Sequence, residues 1–404
     1  MRWRVPLFLS ACVVVAQCFP LSPIVDVVAR TAPAAARLIY PLFHIVFAPF
    51  TLLADWLNGG STRDLTAFAV WSVVGYALVR LFARPGPRPR RAVREPLYAL
   101  VFVLAMAVFV GWGYLVPRPI PRLAASGDDA LVLDIHSHTS LSHDGRRGFG
   151  AAQNAAWHAR AGFDVAFVTD HNVCCAARTW RLENPHARPF LFQGEEISLS
   201  GIHVLALGIR AVIPNQPWDA SWDSTGALVR RLHADSLFLV PTLPEDWRRH
   251  SGAEFGQLSE WGVGGFEIWT SAPQAMNMPP AGRRTVIAWS RLENRPVFGS
   301  TDMHGFGNTA SVWNVVRLPG WRAMSDSALQ AALFTRLRSG GVAANDVVAL
   351  RRWLPASRLG SALDVPVNLV LLLRTASRAH ALALLGWIWA AALVASSRRR
   401  GPTP

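Results

Sequence analysis

Leu131-Val132-Leu133-Asp134-Ile135-His136-Ser137-His138-Thr139 is the stretch on which the reading of this chain turns. An apolar run ends in two histidines at i and i+2, and alternate residues of a strand share a face. Both imidazoles are therefore expected to point the same way, as two ligands of one metal ion do. Asp144-Gly145 follows, and a second apolar run, Asp164 to Val168, leads into Thr169-Asp170-His171-Asn172. Imidazoles and carboxylates converging from neighbouring strand ends suit a zinc or manganese hydrolytic centre.

Outward from these runs the chain alternates short apolar strands with helical stretches. Strands are expected at 131–135, 164–168, 190–193, 203–207, 236–240, 264–269 and 296–299. Helices are expected at 150–161, 224–234, 254–260, 281–293 and 326–338. The last follows the N-cap pair Ser325-Asp326 and stops at Gly340-Gly341. Such alternation predicts an α/β domain with mainly parallel strands. A barrel is favoured over an open sheet, because the polar residues gather at strand ends and no glycine-rich phosphate loop is present.

Each later strand end offers another ligand type. Gln193-Gly194-Glu195-Glu196-Ile197-Ser198 brings carboxylates, Gly201-Ile202-His203 a third imidazole, and Gly299-Ser300-Thr301-Asp302-Met303-His304 an Asp and a His at i and i+2. A lone histidine is commonly a surface or satisfied core residue, but six residues of the right type at successive strand ends are not a structural accident. Taken together, these motifs resemble the polymerase and histidinol phosphatase (PHP) family over roughly residues 130–345. The resemblance implies a distorted, TIM-like (β/α)7 barrel, two or three divalent metal ions (zinc or manganese, with iron as an option), and phosphoester hydrolysis. It implies that His136 and His138 bind a first metal with Glu196 and Asp302. Glu196 would bridge to a second metal that also takes His203, and Asp144, His171 and His304 would hold a third. Glu196 is preferred to Glu195, because the family pattern is glycine (here Gly194), one residue, then the ligand glutamate. In one place the sequence departs from the pattern. Where the family carries Ala-His-Pro with a ligand histidine, this chain reads Val240-Pro241-Thr242-Leu243-Pro244-Glu245-Asp246, so the second site is expected to be weak, lost, or completed by Glu245 or Asp246.

For the remaining roles, His143, His304 or Asp170 is a candidate general acid, with Asp170 also placed to orient a ligand histidine. Arg146, Arg147 and Arg178 follow the motif loops and are candidate phosphate ligands, although a solvated surface role is the commoner fate of an arginine. The competing functions are a metal- or phospho-ligand sensor that has lost turnover, and an amidohydrolase-type C–N hydrolase. The chain contains no lysine to be carbamylated, which disfavours the latter.

Of the 404 residues, 51% are hydrophobic, and they concentrate before residue 118 and after residue 378. Segments 5–29, 38–57, 65–83, 97–117 and 380–395 approach the roughly 20 apolar residues that cross a bilayer. The organisation expected is a membrane region at 1–117 with three or four hydrophobic helices, a Pro/Arg linker at 118–129, the hydrolase domain at 130–352, and a C-terminal anchor with a basic tail at 353–404. The net charge of +14 does not mark a nucleic-acid partner, because residues 127–352 hold 21 Asp/Glu against 21 Arg. The excess flanks the apolar segments, at Arg80, Arg84, Arg88, Arg90, Arg91 and Arg94 and at Arg398-Arg399-Arg400, as cytoplasmic flanks do. That pattern predicts an inner-membrane protein with its catalytic domain outside the cytoplasm, provided one early segment does not cross. The expected substrate is a phosphorylated small molecule or envelope component. Cys174-Cys175 are read as two small buried thiols near the site, since a bridge between neighbours is strained.

Overall fold

A computed structural model describes residues 3–82, 88–199, 201–214, 221–247, 252–273, 276, 278–354 and 363–397. Arg84 and Arg398-Arg399-Arg400 lie outside the described residues, as do the side chains of Arg88, Arg90 and Arg91. The chain forms two compact units, one of residues 1–21, 41–119 and 355–404, the other of residues 22–40 and 120–354.

The second unit is mixed α/β. In chain order its strands are β1 (Ile24–Asp26), β2 (Ala36–Ile39), β3 (Arg122–Ala125), β4 (Ala130–Asp134), β5 (Val165–Val168) and β6 (Phe190–Leu199). They continue with β7 (Ile202–Leu207), β8 (Phe238–Pro241), β9 (Phe266–Thr270), β10 (Val297–Ser300), β11 (Val312–Arg317) and β12 (Asn345–Leu350). Eight of them make one sheet in the order β1-β12-β11-β4-β5-β6-β7-β8, while β9 and β10 pair separately, as do β2 and β3.

The seven strands β4 to β10 close on themselves through a few specific bonds. Gly264 N donates to Leu239 O at 2.7 Å, joining β8 to the start of β9. On the other side, His138 N donates to Met303 O at 2.8 Å and Asp302 N to His136 O at 3.0 Å. Those two bonds tie the end of β10 to the end of β4 without a regular ladder. The carboxamide of Asn314, on β11, fills the gap below, donating to Leu133 O and Gly299 O and accepting from Gly299 N. The result is a distorted seven-strand ring with β11, β12 and β1 attached beside β4.

The ring is filled by alternate residues, as the pleat requires. Leu131, Leu133 and Ile135, Phe190 and Phe192, Leu205 and Leu207, Phe238 and Val240, and Phe298 form one buried cluster. Leu329, Leu333, Phe334 and Leu337 of the helix Asp326–Gly340 belong to the same cluster. Opposite-parity residues Ala166, Val168 and Leu191 face Ala155 and Ala177, on the helices Ala151–Ala161 and Ala176–Glu183. One face of these strands thus builds the ring core and the other seats helices.

Several expectations need correction. The strands are not mainly parallel: β4-β5-β6 and β9-β10 are parallel, but β7 runs antiparallel to both β6 and β8, and β11 to both β4 and β12. The turn at Gly201 is too short for a crossover helix, so β6 and β7 form a hairpin. The stretch read as a linker contains β3, which pairs with β2, and the tail of the first apolar segment contains β1, which pairs with β12. Segment 5–29 is therefore not one span: its helix covers only Arg4–Cys18 before the chain enters the second unit. Segment 38–57 is broken as well, into the helices Leu42–Val46 and Ala48–Asn58. It carries a buried polar chain, in which His44 Nε2 lies 2.7 Å from Asp55 Oδ2 and Arg118 Nη2 lies 2.5 Å from Asp55 Oδ1. Such burial fits a packed helix pair better than a lipid-facing span. Cys174 and Cys175 are joined as a disulfide rather than free.

Among the described residues, Thr62–Leu81, Arg94–Leu115 and Arg378–Ser397 are long and apolar enough to cross a membrane.

Candidate metal centre

β4 ends at Asp134, so the two histidines sit just beyond the strand rather than within it. What aims them is the ring closure. His138 N and His136 O are bonded to the β10 end, and Asn154 Nδ2 donates to His138 O at 3.0 Å. Asp134 adds a clamp, with Oδ2 2.9 Å from His158 Nε2 and also accepting from Thr301 Oγ1, while Oδ1 accepts from Thr301 N at 3.1 Å. The imidazoles consequently converge, with His136 Nε2 and His138 Nε2 3.0 Å apart.

Glu196 occupies the middle of the arrangement. Its Oε2 lies 3.0 Å from His136 Nε2, 3.2 Å from His138 Nε2 and 3.3 Å from His171 Nε2, and its Oε1 lies 3.0 Å from His203 Nδ1. Asp302 Oδ1 lies 3.1 Å from His138 Nε2 and 3.2 Å from His136 Nε2. Asp144 Oδ2 lies 3.0 Å from His304 Nε2 and 3.3 Å from His171 Nε2. The ligand-type atoms fall into three overlapping groups, each within 4.8 Å: His136, His138 and Asp302; His171, Glu196 and His203; and His138, Asp144, His171 and His304. Glu245 Oε2 stands 3.4 Å from His203 Nδ1, at the departure from the family pattern. Asp246 is half-buried at the end of the same short helix.

Adjacent Glu195 faces away, accepting from Ile213 N at 2.8 Å, and burial pushes its carboxyl up to about 7. Pleat parity separates the two glutamates.

Two local backbone features hold the loops. Gly145 lies so close to the Thr139 carbonyl that a Cβ would sit 1.9 Å from its oxygen, so only glycine lets the Asp144 loop fold back. Asp302 has a φ of 49°, a left-handed conformation fixed by its N–H bond to His136 O.

Electrostatically the cluster is a set of trapped ion pairs. Burial pushes the Glu196 carboxyl up, but the surrounding imidazoles outweigh it and hold the group well below its usual range. Burial disfavours the His203 imidazolium, yet the neighbouring carboxylates of Glu196 and Glu245 raise it to about 10. His304, also opposed by burial, is raised to about 9 by Asp302 and Asp144. Ring nitrogens packed 3.0 Å apart around carboxylates make a poor purely structural core. The same donors suit divalent cations, since imidazole nitrogen and carboxylate oxygen bind zinc and manganese.

The other expected residues fall in different places. Asp170 is buried with both oxygens on Thr139, at 2.5 Å from its N and 2.8 Å from its Oγ1, so it anchors the loop after His138 instead of bonding a ligand histidine. His143 is exposed, with its ring centroid 5.0 Å from that of His171. Arg146 Nη1 donates to Gly305 O beside His304, and Arg147 is exposed. Arg178 is not at the cluster. It lines a separate cleft of about 1160 Å³ whose walls include none of the clustered ligands, and it donates to Arg210 O at 3.0 Å.

Glu267 on β9 was not anticipated. It is fully buried, its Oε1 lies 3.3 Å from His136 Nδ1, and it accepts from Ser300 Oγ. Burial pushes its carboxyl up to about 7. A carboxylate on the far nitrogen of a ligand histidine fixes the tautomer and orients the ring. The available signal was a lone charge inside the apolar run Phe266-Glu267-Ile268-Trp269.

No protein-family model matches the sequence, and no curated protein does. Among solved structures, the chain is similar to one described as a metal-dependent phosphoesterase from Bifidobacterium adolescentis, at 15% identity and a TM-score of 0.38, over 50% of this chain and 95% of that one. PsfC from Pseudomonas syringae is similar at 18% identity and a TM-score of 0.38, over 60% of this chain and 98% of that one. An amidohydrolase from Chromobacterium violaceum follows at 16% identity and a TM-score of 0.30, over 50% and 96%. At such scores the likenesses carry no argument about activity, and the functional reading rests on the site's own geometry.

Proposed function

We propose that this chain is a membrane-anchored, metal-dependent phosphoesterase of the PHP type. The observation that carries the proposal is Glu196 set among four imidazoles, with Asp302 and Asp144 completing three overlapping ligand groups. In this reading His136, His138 and Asp302 hold one ion, Glu196, His203 and Glu245 a second, and Asp144, His171 and His304 a third. Divalent ions there would supply Lewis acidity toward phosphoryl oxygens and lower the pKa of water. The chain's own residues do the rest. Glu267 and the Asp134 clamp orient the first-site ligands, and Asp170 fixes Thr139. Exposed His143 is the candidate proton donor to the leaving oxygen. Arg146, beside His304, is the candidate to hold a non-bridging oxygen.

The strand pairings also support a topology. Residues 24–26 and 36–39 pair within the same unit as residues 120–354, so they share its side of the membrane. An even number of crossings must then separate residue 40 from residue 120. The spans Thr62–Leu81 and Arg94–Leu115 supply two, and the broken helices at 42–58 supply none. With the basic loop 84–95 inside, the catalytic unit faces outside the cytoplasm and Arg378–Ser397 returns the tail. An alkaline phosphatase fusion at about residue 125 is expected to be active, and an inactive fusion overturns the orientation.

The activity test uses the full chain in detergent, loaded with manganese or zinc, against generic phosphomonoesters and phosphodiesters. Turnover that requires metal and vanishes in an Asp302→Ala, His304→Ala double variant supports the proposal. Tight metal binding without turnover on any ester overturns it in favour of a sensor.

A further inference from the structure

Arg283, on the first turn of the helix Pro280–Leu292, is 4% exposed. Its Nε donates to Ile268 O at 3.1 Å, and its guanidinium lies over the Trp269 ring, 4.4 Å from the centroid. Among the described residues its Nη2 has no hydrogen-bond partner, and no carboxylate pairs with it. A buried guanidinium without a counter-charge is costly and rare. The neighbourhood makes it more so. Burial and the nearby Arg352 both disfavour the charge, lowering the group to about 10, which still leaves it cationic at neutral pH.

Three further features favour an anion at the same place. The Trp269 Nε1, on the indole that the guanidinium covers, is a buried donor with no partner among the described residues. The helix that carries Arg283 begins after Pro279 with no side-chain cap on its first-turn amides. Helical side chains lean toward the N-terminus, the end whose amides and dipole favour an anion. Third, Arg352 adds positive charge nearby. Unspent donors, a dipole and a buried guanidinium that no carboxylate neutralises among the described residues describe a site for an oxyanion.

The geometry points to an oxyanion-binding site built by Arg283, Trp269 Nε1 and the N-terminus of the helix Pro280–Leu292, distinct from the metal ligands. Its ligand is a phosphate or a carboxylate, held by the guanidinium fork without need of a metal. Trp269 is two residues beyond Glu267 on β9, so the site stands beside the metal centre and suits a second anionic group on a bound molecule. It does not depend on the chain being a phosphoesterase.

The test is titration of inorganic phosphate into the full-length, EDTA-treated protein, followed by calorimetry and by thermal unfolding. Wild type is expected to bind one phosphate per chain and to unfold at higher temperature as phosphate rises. Arg283→Met is expected to weaken binding at least tenfold while unfolding, without phosphate, no lower than wild type, since it removes an unpaired buried charge. Trp269→Phe keeps the ring, loses the N–H, and should weaken phosphate severalfold. Acetate in place of phosphate separates the two ligand classes, and tighter binding of either one supports the site. No binding by metal-free wild type, undiminished binding by Arg283→Met, or a marked loss of phosphate-free stability in that variant overturns the inference, the last by making Arg283 a packing residue.

Discussion

Replacing Glu267 by Gln changes its buried contacts to His136 and Ser300 and almost nothing in shape. In the wild type its carboxylate lies 3.3 Å from His136 Nδ1, and His136 Nε2 faces the ligand cluster. A charge-assisted hydrogen bond contributes about 1.5–3 kcal/mol and a neutral one about 0.5–1.5, so the substitution should cost the bound state about 1–1.5 kcal/mol. At about 1.4 kcal/mol per decade, that is about a tenfold weaker metal affinity, the lower end of the range for partners of ligand histidines. The assay is competition with a chromogenic chelator, on the full chain in detergent, for both proteins. The pH dependence gives a second check. Burial pushes the Glu267 carboxyl up to about 7, so below that pH the wild type also carries a neutral group. The gap between wild type and variant should therefore narrow as pH falls through about 7 and widen above it. Affinities equal within about twofold at pH 8, or a gap that ignores pH, would refute the reasoning.

Glu196→Gln removes the carboxylate that touches four imidazoles, and should lower metal affinity by more than the roughly 100-fold of an outer partner, as read by the same competition. Glu245→Ala should reduce the metal content by one ion per chain in elemental analysis, since Glu245 completes only the His203 site. Metal binding at pH 7 should release protons, because His203 and His304 are raised to about 10 and 9 and must give up a proton to bind; calorimetry in buffers of different ionisation enthalpy measures this, and affinity should fall as pH falls. Leu333→Ala, in the helix whose apolar side chains join the ring core, should cost about 2–5 kcal/mol in unfolding of the full chain.

The ring and its ligands lie on either side of what a sequence can determine. Seven apolar runs sit where β4 to β10 form, because strand burial is a local property written as period-two or continuous hydrophobicity. The ligand motifs were legible for the same reason, since His136, His138, Asp302 and His304 are fixed by position relative to those runs. β1, β2 and β3 were not legible. Ile24–Asp26 and Ala36–Ile39 read as membrane or flank, and they become strands only because β12 and β3 offer free edges. Such long-range pairing, of Ile24 with Leu350 and of Ala36 with Ala125, leaves no local trace. The hairpin that turns β7 antiparallel depends on a tight turn at Gly201, and alternation of strand and helix could not reveal it.

The sequence by itself determined which residues could bind a metal, which runs would be strands, and that long apolar helices flank the site. Only the tertiary structure decided which ligand-type atoms meet. It turned Glu196 inward and Glu195 outward by pleat parity, brought Glu245 to His203, moved Arg178 into another cleft, and set Glu267 behind His136. It also left Nη2 of the buried Arg283 without a hydrogen-bond partner among the described residues. Residue type is a property of one position, whereas proximity and desolvation are properties of the closed ring. The charge balance that makes a site comes into being when distant strands shut water out around it.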